Sequence, residues 1–143
     1  MVVFDFEYYL SKGVVKRKRV DISLAESLLK AAKDRFNFAK SLAETKPKYA
    51  LENAYEAVIE IIDALMALKG FKSWSHEANI AFLRKFGFSE NEIRRLDVSR
   101  SKRHGSKYYG VEFSATEVKN EIEFLEEIFE KIVKLIEEGL KSY

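Results

Sequence analysis

Apolar residues recur at three- and four-residue steps along most of this chain, and only one proline and six glycines interrupt it. Near the end, apolar side chains at positions 118, 122, 125, 129, 132, 136 and 140 recur at steps of three or four residues. This spacing puts them on one side of a long helix with a wide face to bury. The same period indicates helices over about residues 23–43 and 47–70. The pattern therefore predicts an all-α protein.

Local signals predict where the helices begin and end. Three serines precede a glutamate by three residues, which is the spacing of a capping box: Ser23 with Glu26, Ser89 with Glu92, and Ser114 with Glu117. Pro47 suits the first turn of a second helix that ends at Gly70. A third helix is expected to begin at Ser73 or Ser75 and to end at Gly87.

The remaining boundaries follow from breaks in the helical period. Residues 4–11 can form a short helix, whereas residues 14–20 are expected to be a loop or an extended linker. The fourth helix is expected to end near Lys102, because Gly105 then marks a loop. Four to five amphipathic helices joined by short loops pack most simply as an antiparallel up-and-down bundle. No internal repeat or linker divides the sequence, so residues 1–143 are expected to form one domain.

Composition excludes several kinds of site. The chain has no cysteine and two histidines, which excludes disulfides and thiolate ligands and makes an all-histidine metal site implausible. Neither a metal nor a cofactor is therefore expected. No apolar run is long enough for a bilayer, and the first residues lack the basic leader of a signal peptide, so a cytoplasmic protein is expected. Glutamine is absent while lysine and glutamate are abundant, a composition associated with growth at high temperature.

Charge is distributed unevenly along the chain, although the net charge is only +2. Residues 94–110, here called the basic segment, carry six basic side chains against one acid, Asp97. Guanidinium and ammonium groups bind phosphate, and tyrosine rings either stack on bases or close the end of a bundle. The candidate residues for binding RNA or a nucleotide are Arg95, Lys102, Arg103, Lys107, Tyr108 and Tyr109.

Arg100 and His104 are the candidate catalytic residues of the basic segment. If the helix continues through them, residues four apart lie on one side and reach the same phosphate. An imidazole can take the proton from the 2′-hydroxyl of RNA while an arginine stabilises charge on the phosphate, and this chemistry needs no metal. The alternative is a surface histidine within a solvated basic patch.

Other polar residues have two interpretations each. The basic residues 16–19 either contact phosphate or form a solvated loop. Trp74 is expected to cap the core, while His76 either approaches the site from another helix or is a polar capping residue. An acidic line along the second helix can share a cation, but facing solvent or pairing with the basic segment is the favoured interpretation. The line comprises Glu52, Glu56, Glu60 and Asp63.

The run AYEAVIEIIDALMALKGFKSWSHEA, followed by SRSKRHGSKYYG and a long acidic last helix, resembles the HEPN proteins (higher eukaryotes and prokaryotes nucleotide-binding domain). The likeness covers most of the chain. It implies an up-and-down helical bundle that commonly forms a homodimer, with two copies of the basic segment across a shared cleft. Many members are metal-independent ribonucleases, often toxins paired with a small nucleotidyltransferase antitoxin, whereas others bind nucleotides or RNA.

The catalytic motif of the HEPN family is an arginine, four to six intervening residues and a histidine, often with a tyrosine two positions later. In this chain three residues separate Arg100 from His104, Ser106 follows two positions later, and Tyr108 is the nearest tyrosine. RNA or nucleotide binding is therefore expected ahead of cleavage. The alternative is a non-catalytic interaction protein that pairs with a nucleotidyltransferase or another protein.

Overall fold

The structure, a computed structural model, describes residues 2–108 and 113–143, and for residues 105–108 it describes the backbone alone. Within these residues the chain is mostly helical, with one small antiparallel ribbon of two strands. The prediction of an all-α helical bundle is confirmed. The elements in chain order are α1 (Phe6–Ser11), β1 (Val15–Arg17), α2 (Ile22–Leu42), α3 (Pro47–Lys69), β2 (Phe71–Ser73), α4 (His76–Phe82), a 3₁₀ turn (Leu83–Phe86), α5 (Glu90–Tyr108) and α6 (Ala115–Leu140).

α3 lies at the centre of the bundle and is buried along nearly its whole length. Ala54, Ala57, Ile61 and Leu65 are inaccessible to solvent. The small alanine side chains let the backbones of neighbouring helices approach closely. α2 packs along one side of α3 and α6 along another. Within the described residues, no helix combines the length and apolar character that crossing a bilayer requires.

α6 runs antiparallel to both α2 and α5. Ion pairs fix this direction, because residue numbers fall along α6 as they rise along its neighbours: Lys33–Glu137 and Lys40–Glu126 with α2, and Glu92–Lys131 and Lys102–Glu121 with α5. α6 packs mainly against α3, and the apolar side chains at the predicted period are all buried except Leu140. The apolar face of α6 is thus covered within the chain itself.

Two of the predicted capping boxes are confirmed. The backbone N–H of Glu92 donates to Ser89 Oγ at 3.1 Å, and Ser89 N–H donates to Glu92 Oε1 at 2.9 Å. Ser114 and Glu117 form the same reciprocal pair at the start of α6. Because the partners are three residues apart, these signals depend on local sequence alone.

The predicted cap at Ser23 is wrong. α2 begins at Ile22, and Asp21 is the cap, with its Oδ1 accepting a hydrogen bond from the N–H of Leu24 at 2.9 Å. Aspartate caps a helix as well as serine does. Tertiary contact settles the choice, since the N–H of Asp21 itself donates to the carbonyl of Ala67 in α3 at 3.0 Å.

The predicted end of the fourth helix near Lys102 is also wrong. α5 continues to Tyr108, so Gly105 lies within a helix rather than in a loop. A glycine inside a helix costs about 1 kcal/mol relative to alanine. Ion pairs of Lys102 with α6 and of Arg103 with α3 oppose that cost. Residues 99–107 contain no apolar side chain, so polar contacts hold this half of α5 against the bundle.

Residues 14–20, predicted as a loop or an extended linker, include β1, which pairs with β2 (Val15 opposite Ser73). The N–H of Lys18 donates to the carbonyl of Gly70 at 2.8 Å and continues the attachment past the strands. β2 leads directly into α4, where Ser75 is the cap and its Oγ accepts from the N–H of Ala78 at 3.2 Å. The predicted start at Ser75 is therefore confirmed, and α4 begins at His76.

Gly70 and Gly87 provide a matched test of the ribbon's attachment. Both adopt positive φ, +88° and +83°, where a β-carbon costs about 1 kcal/mol. A β-carbon at Gly70 would also lie 2.8 Å from the carbonyl oxygen of Lys18, whereas at Gly87 it would meet nothing. We expect Gly70→Ala to lower the free energy of unfolding by about 2 kcal/mol and Gly87→Ala by about 1 kcal/mol, measured in urea. Equal losses would mean that the contact with Lys18 is unimportant.

Candidate functional site

The second half of α5 presents basic side chains on two different sides. Arg103 pairs with Glu56 of α3, and Arg100 lies near Glu77 of α4, with 3.9 Å between Nη1 and Oε1. His104 follows Arg100 by four residues and is exposed, one turn further along the same side of the helix. The side of α5 that faces α3 and α4 therefore carries two guanidinium groups and an imidazole within five residues. We call this group, with the facing residues of α3 and α4, the α5 site.

Arg100 is held firmly in the α5 site. Its Nε donates to Asp97 Oδ1 at 2.9 Å, one turn earlier on α5, and its side chain is only 17% exposed. Asp97 is buried as well. A buried carboxylate beside a guanidinium fixes the direction of the planar group. Arg100 is thus oriented before any ligand arrives.

Arg103 is the second oriented cation of the α5 site. Its guanidinium contacts the carboxylate of Glu56, and its central carbon lies 6.0 Å from the centre of the Tyr55 ring. The side chain is 13% exposed. A phosphate that binds here would exchange with the carboxylate of Glu56 for the same N–H groups. The affinity of the site therefore depends on how strongly Glu56 competes.

His76 joins the α5 site from the first turn of α4. Its Nδ1 lies 3.1 Å from the hydroxyl of Tyr55, a side chain that is fully buried in α3. Burial lowers the pKa of His76; the charge of Glu56 acts in the opposite direction, while Arg103 and Arg100 lower the pKa further. Burial also raises the pKa of Tyr55. Near neutral pH the pair is therefore a neutral phenol and a neutral imidazole.

The lowered pKa of His76 predicts a pH dependence of stability. Below its ordinary pKa of 6.5 the imidazole takes up a proton in the unfolded chain before it does so in the folded one. The neutral imidazole of His76 therefore contributes fully to the free energy of unfolding above the pKa of the unfolded chain. This contribution is lost as the pH falls towards the lower pKa of His76 in the folded protein. In urea unfolding between about pH 7.5 and about pH 5.5, wild type should lose more stability than His76→Gln, which keeps a polar group opposite Tyr55. Parallel losses would contradict this assignment.

Two predicted binding residues lie elsewhere on α5. Arg95 places its guanidinium over the ring of Phe124 in α6, 4.1 Å from the ring centre. Lys102 donates to Glu121 Oε1 at 2.9 Å, also in α6. Both therefore point away from Arg100 and His104. The basic segment is divided between two sides of one helix, which its linear sequence does not reveal.

Three further predictions fall on residues that the structure describes in part or not at all. Lys107 and Tyr108 belong to α5, but their side chains lie outside the described part of the chain. Tyr109 lies outside the described residues altogether. The stacking of these two tyrosines remains a prediction.

Three of the four acids in the acidic line of α3 have partners within the protein. Glu56 pairs with Arg103, as the favoured interpretation of this line proposed, while Glu60 pairs with Arg35 of α2 at 3.2 Å. Asp63 Oδ1 accepts from Asn79 Nδ2 at 2.9 Å, and burial raises the pKa of this carboxyl group. Among the described residues, no group of three or more histidine, aspartate or glutamate side chains is arranged to hold a metal ion.

The sequence interpretation is wrong about Trp74 and incomplete about Tyr55. Trp74 was expected to cap the core, yet 60% of its surface is exposed. Tyr55 was not among the candidates, although it links His76 to α3. The sequence feature that could have identified Tyr55 is its place on a buried, alanine-rich helix, where the tyrosine hydroxyl needs a hydrogen-bond partner.

The α5 site combines groups that suit a phosphodiester. Oriented guanidinium groups can neutralise phosphate, and imidazole side chains can accept and donate protons. Carboxylates of Glu56 and Glu77 balance the positive charge when no anion is present. A comparison of the chain with models of known protein families finds no match, and a comparison with curated proteins finds none either.

Proposed function

We propose that this chain is a HEPN-like protein that binds RNA or a nucleotide at the α5 site, as a homodimer. The observation that carries the proposal is the placement of Arg100, Arg103 and His104 within five residues of one helix, beside His76 of another. Arginine binds phosphate through two parallel N–H groups, which requires the fixed orientation that Asp97 and Glu56 provide here. The second copy would bring another basic segment to the same RNA.

Cleavage of RNA without a metal is the catalytic form of this proposal. His104 would take the proton of a 2′-hydroxyl, and the 2′-oxygen would then attack phosphorus. The bond to the 5′-oxygen breaks, and that oxygen takes a proton from water, leaving a 2′,3′-cyclic phosphate and a 5′-hydroxyl. Arg100 would stabilise the charge on the phosphate. Although the spacing of the two residues is shorter than in the family motif, it suits a continuous helix, where residues four apart are neighbours.

A toxin with this activity would act beside an antitoxin, and a nucleotidyltransferase is the partner that the HEPN resemblance suggests. The alternative function is a non-catalytic interaction protein with the same kind of partner. One observation favours it: α5 cations already have carboxylate partners in the chain, Arg103 with Glu56 and Lys102 with Glu121. In that case the basic segment mainly holds α5 in place.

Glu56→Gln separates the two functions. If Arg103 serves phosphate, removing the competing carboxylate should strengthen RNA binding by roughly two- to fivefold, the equivalent of about 0.5–1 kcal/mol. The measurement is the dissociation constant of a labelled single-stranded RNA at low and at moderate salt. Glu60→Gln is the matched control, because Glu60 lies one turn further on α3 and pairs with Arg35 of α2.

For the RNA-binding proposal, affinity must fall as salt rises, because phosphate contacts release counterions. If Glu56→Gln behaves like Glu60→Gln, Arg103 does not contact RNA. If no RNA binds even at low salt while a protein partner co-purifies, the interaction function replaces the proposal.

A further inference from the structure

The ribbon of β1 and β2 carries an exposed aromatic ring with two ammonium groups close to it. Trp74 directly follows β2, and 60% of its surface is exposed. Lys16 Nζ lies 5.9 Å from the centre of its ring and Lys72 Nζ lies 5.8 Å from it. We call Trp74 and these two lysines the ribbon platform.

Like charges face each other on the ribbon platform. Lys16 and Lys72 are directly opposite in the antiparallel register, an arrangement that destabilises a pair of strands. Three more cations follow Lys16 in the sequence, and all of the side chains at positions 16–19 are exposed. Neither these four cations nor Lys72 takes part in any of the ion pairs formed among the described residues.

Two acids whose pKa responds to cations of the ribbon have other partners. The carboxylate of Glu7, whose pKa responds to Arg17, is paired with Lys85 at 3.1 Å. The carboxyl group of Asp63, whose pKa responds to Lys72, accepts from Asn79 instead. Neither carboxylate therefore forms an ion pair with a cation of the ribbon.

The backbone beneath the ribbon platform is well anchored. The N–H of Trp74 donates to the carbonyl of Val14 at 2.8 Å, and the side chain of Val15 is buried. Lys18 is tied to Gly70 by the hydrogen bond described above. The indole ring is thus carried on a fixed backbone although it is exposed, so a ligand that stacks on it has little backbone to order.

From these contacts we infer that the ribbon platform binds single-stranded nucleic acid, with a base stacked on Trp74 and phosphates beside Lys16 and Lys72. Flanking phosphates would relieve the repulsion between the two lysines, and a base has the flat face that an exposed indole can stack on. A duplex offers its phosphates but keeps its bases stacked inside, so it should bind less well. His76 follows Trp74 by two residues, so the platform adjoins the α5 site. Only the choice of RNA over DNA rests on the function proposed above.

Trp74 is the only tryptophan in the chain, so its fluorescence reports on this surface alone. The experiment is a titration of the full chain with a ten-nucleotide oligouridylate and with an RNA duplex of the same length, at low salt. Single strands should quench the emission along a saturable curve that weakens as salt rises. In a parallel polarisation assay with labelled oligouridylate, Trp74→Ala should weaken binding at least about fivefold.

The variants have matched controls on other surfaces. Lys72→Ala should weaken binding. Lys30→Ala should not, because Lys30 is also an exposed lysine but lies on α2, outside the ribbon. Tyr49→Ala controls for the loss of an exposed ring, since Tyr49 is 53% exposed on α3. Trp74 and Lys72 are both exposed, and thermal unfolding of each variant verifies that the fold is kept.

Three outcomes would overturn the ribbon platform: unchanged emission when oligouridylate binds, wild-type affinity in both Trp74→Ala and Lys72→Ala, or quenching by phosphatidylserine vesicles but not by oligouridylate. The two proposals fail separately. If binding needs His104 and Arg103 but not Trp74, the platform fails and the α5 site stands. If binding needs Trp74 but neither Arg103 nor His104, and the wild type cleaves no RNA, the platform stands and the α5 site fails.

Discussion

His104→Ala is expected to lower the rate of RNA cleavage in the presence of a chelator by about 10²–10⁴-fold, the usual contribution of a positioned general base. The rate would be measured on a labelled RNA with purified protein and excess EDTA. Because His104 is exposed, its removal should leave the thermal unfolding temperature nearly unchanged. Ser101→Ala is the control, since Ser101 is an exposed polar residue on the same helix.

The products give a second criterion for the same reaction. Attack by the 2′-oxygen leaves a 2′,3′-cyclic phosphate on one fragment and a 5′-hydroxyl on the other, which a phosphatase and a kinase can distinguish. A substrate with a 2′-deoxy nucleotide on the 5′ side of the scissile phosphate should not be cleaved. If His104→Ala cuts as fast as wild type, or if the 2′-deoxy substrate is cut, His104 is not the base and only the binding form of the proposal remains.

Lys102→Met is expected to lower the free energy of unfolding by about 2–3 kcal/mol, because it leaves the carboxylate of Glu121 without its cation. Only 10% of the Glu121 side chain is exposed, and its other oxygen accepts from Ser99 Oγ at 2.9 Å. Lys102 is 33% exposed, so water reaches the pair and keeps the loss below the roughly 3–5 kcal/mol that is typical when a fully buried pair is broken. Urea unfolding measures the loss.

The reverse substitution should cost much less. In Glu121→Leu the ammonium of Lys102 can turn to solvent, and the hydroxyl of Ser99 still donates to the carbonyl of Arg95 at 3.2 Å. We expect a loss below about 1 kcal/mol, and the double variant should recover most of the stability that Lys102→Met loses. If the losses of the two single variants simply add in the double variant, the pair does not hold the polar half of α5 against α6.

The parts of the fold that depend on neighbouring residues could be predicted from the sequence. The capping boxes at Ser89 and Ser114 are set by residues three positions away, and the period of α6 gives its buried face directly. The cap at Ser23 could not be predicted in this way. Asp21 is an equally good cap, and a contact with a distant helix decides between them.

The candidate site was only partly predictable, for the same reason. α5 continues through both Arg100 and His104, which was the condition for their helical relation, whereas the separate prediction that this helix ends near Lys102 is wrong. Partners more than fifteen residues away hold the polar half of α5, for example Glu56 and Glu121. The contact of Tyr55 with His76 joins two helices, and no local pattern in the sequence carries it.

The chain has two histidines, and their imidazole resonances test most directly whether the α5 site binds phosphate. The measurement is an NMR titration of ¹⁵N-labelled protein with uridine 3′-monophosphate, followed through the ring nitrogens of His76 and His104. We predict that both histidines shift along one saturable curve, and that the curve weakens in Arg103→Ala. Saturable binding without a shift at either histidine, or curves that Arg103→Ala leaves unchanged, would contradict an RNA or nucleotide site on this side of α5.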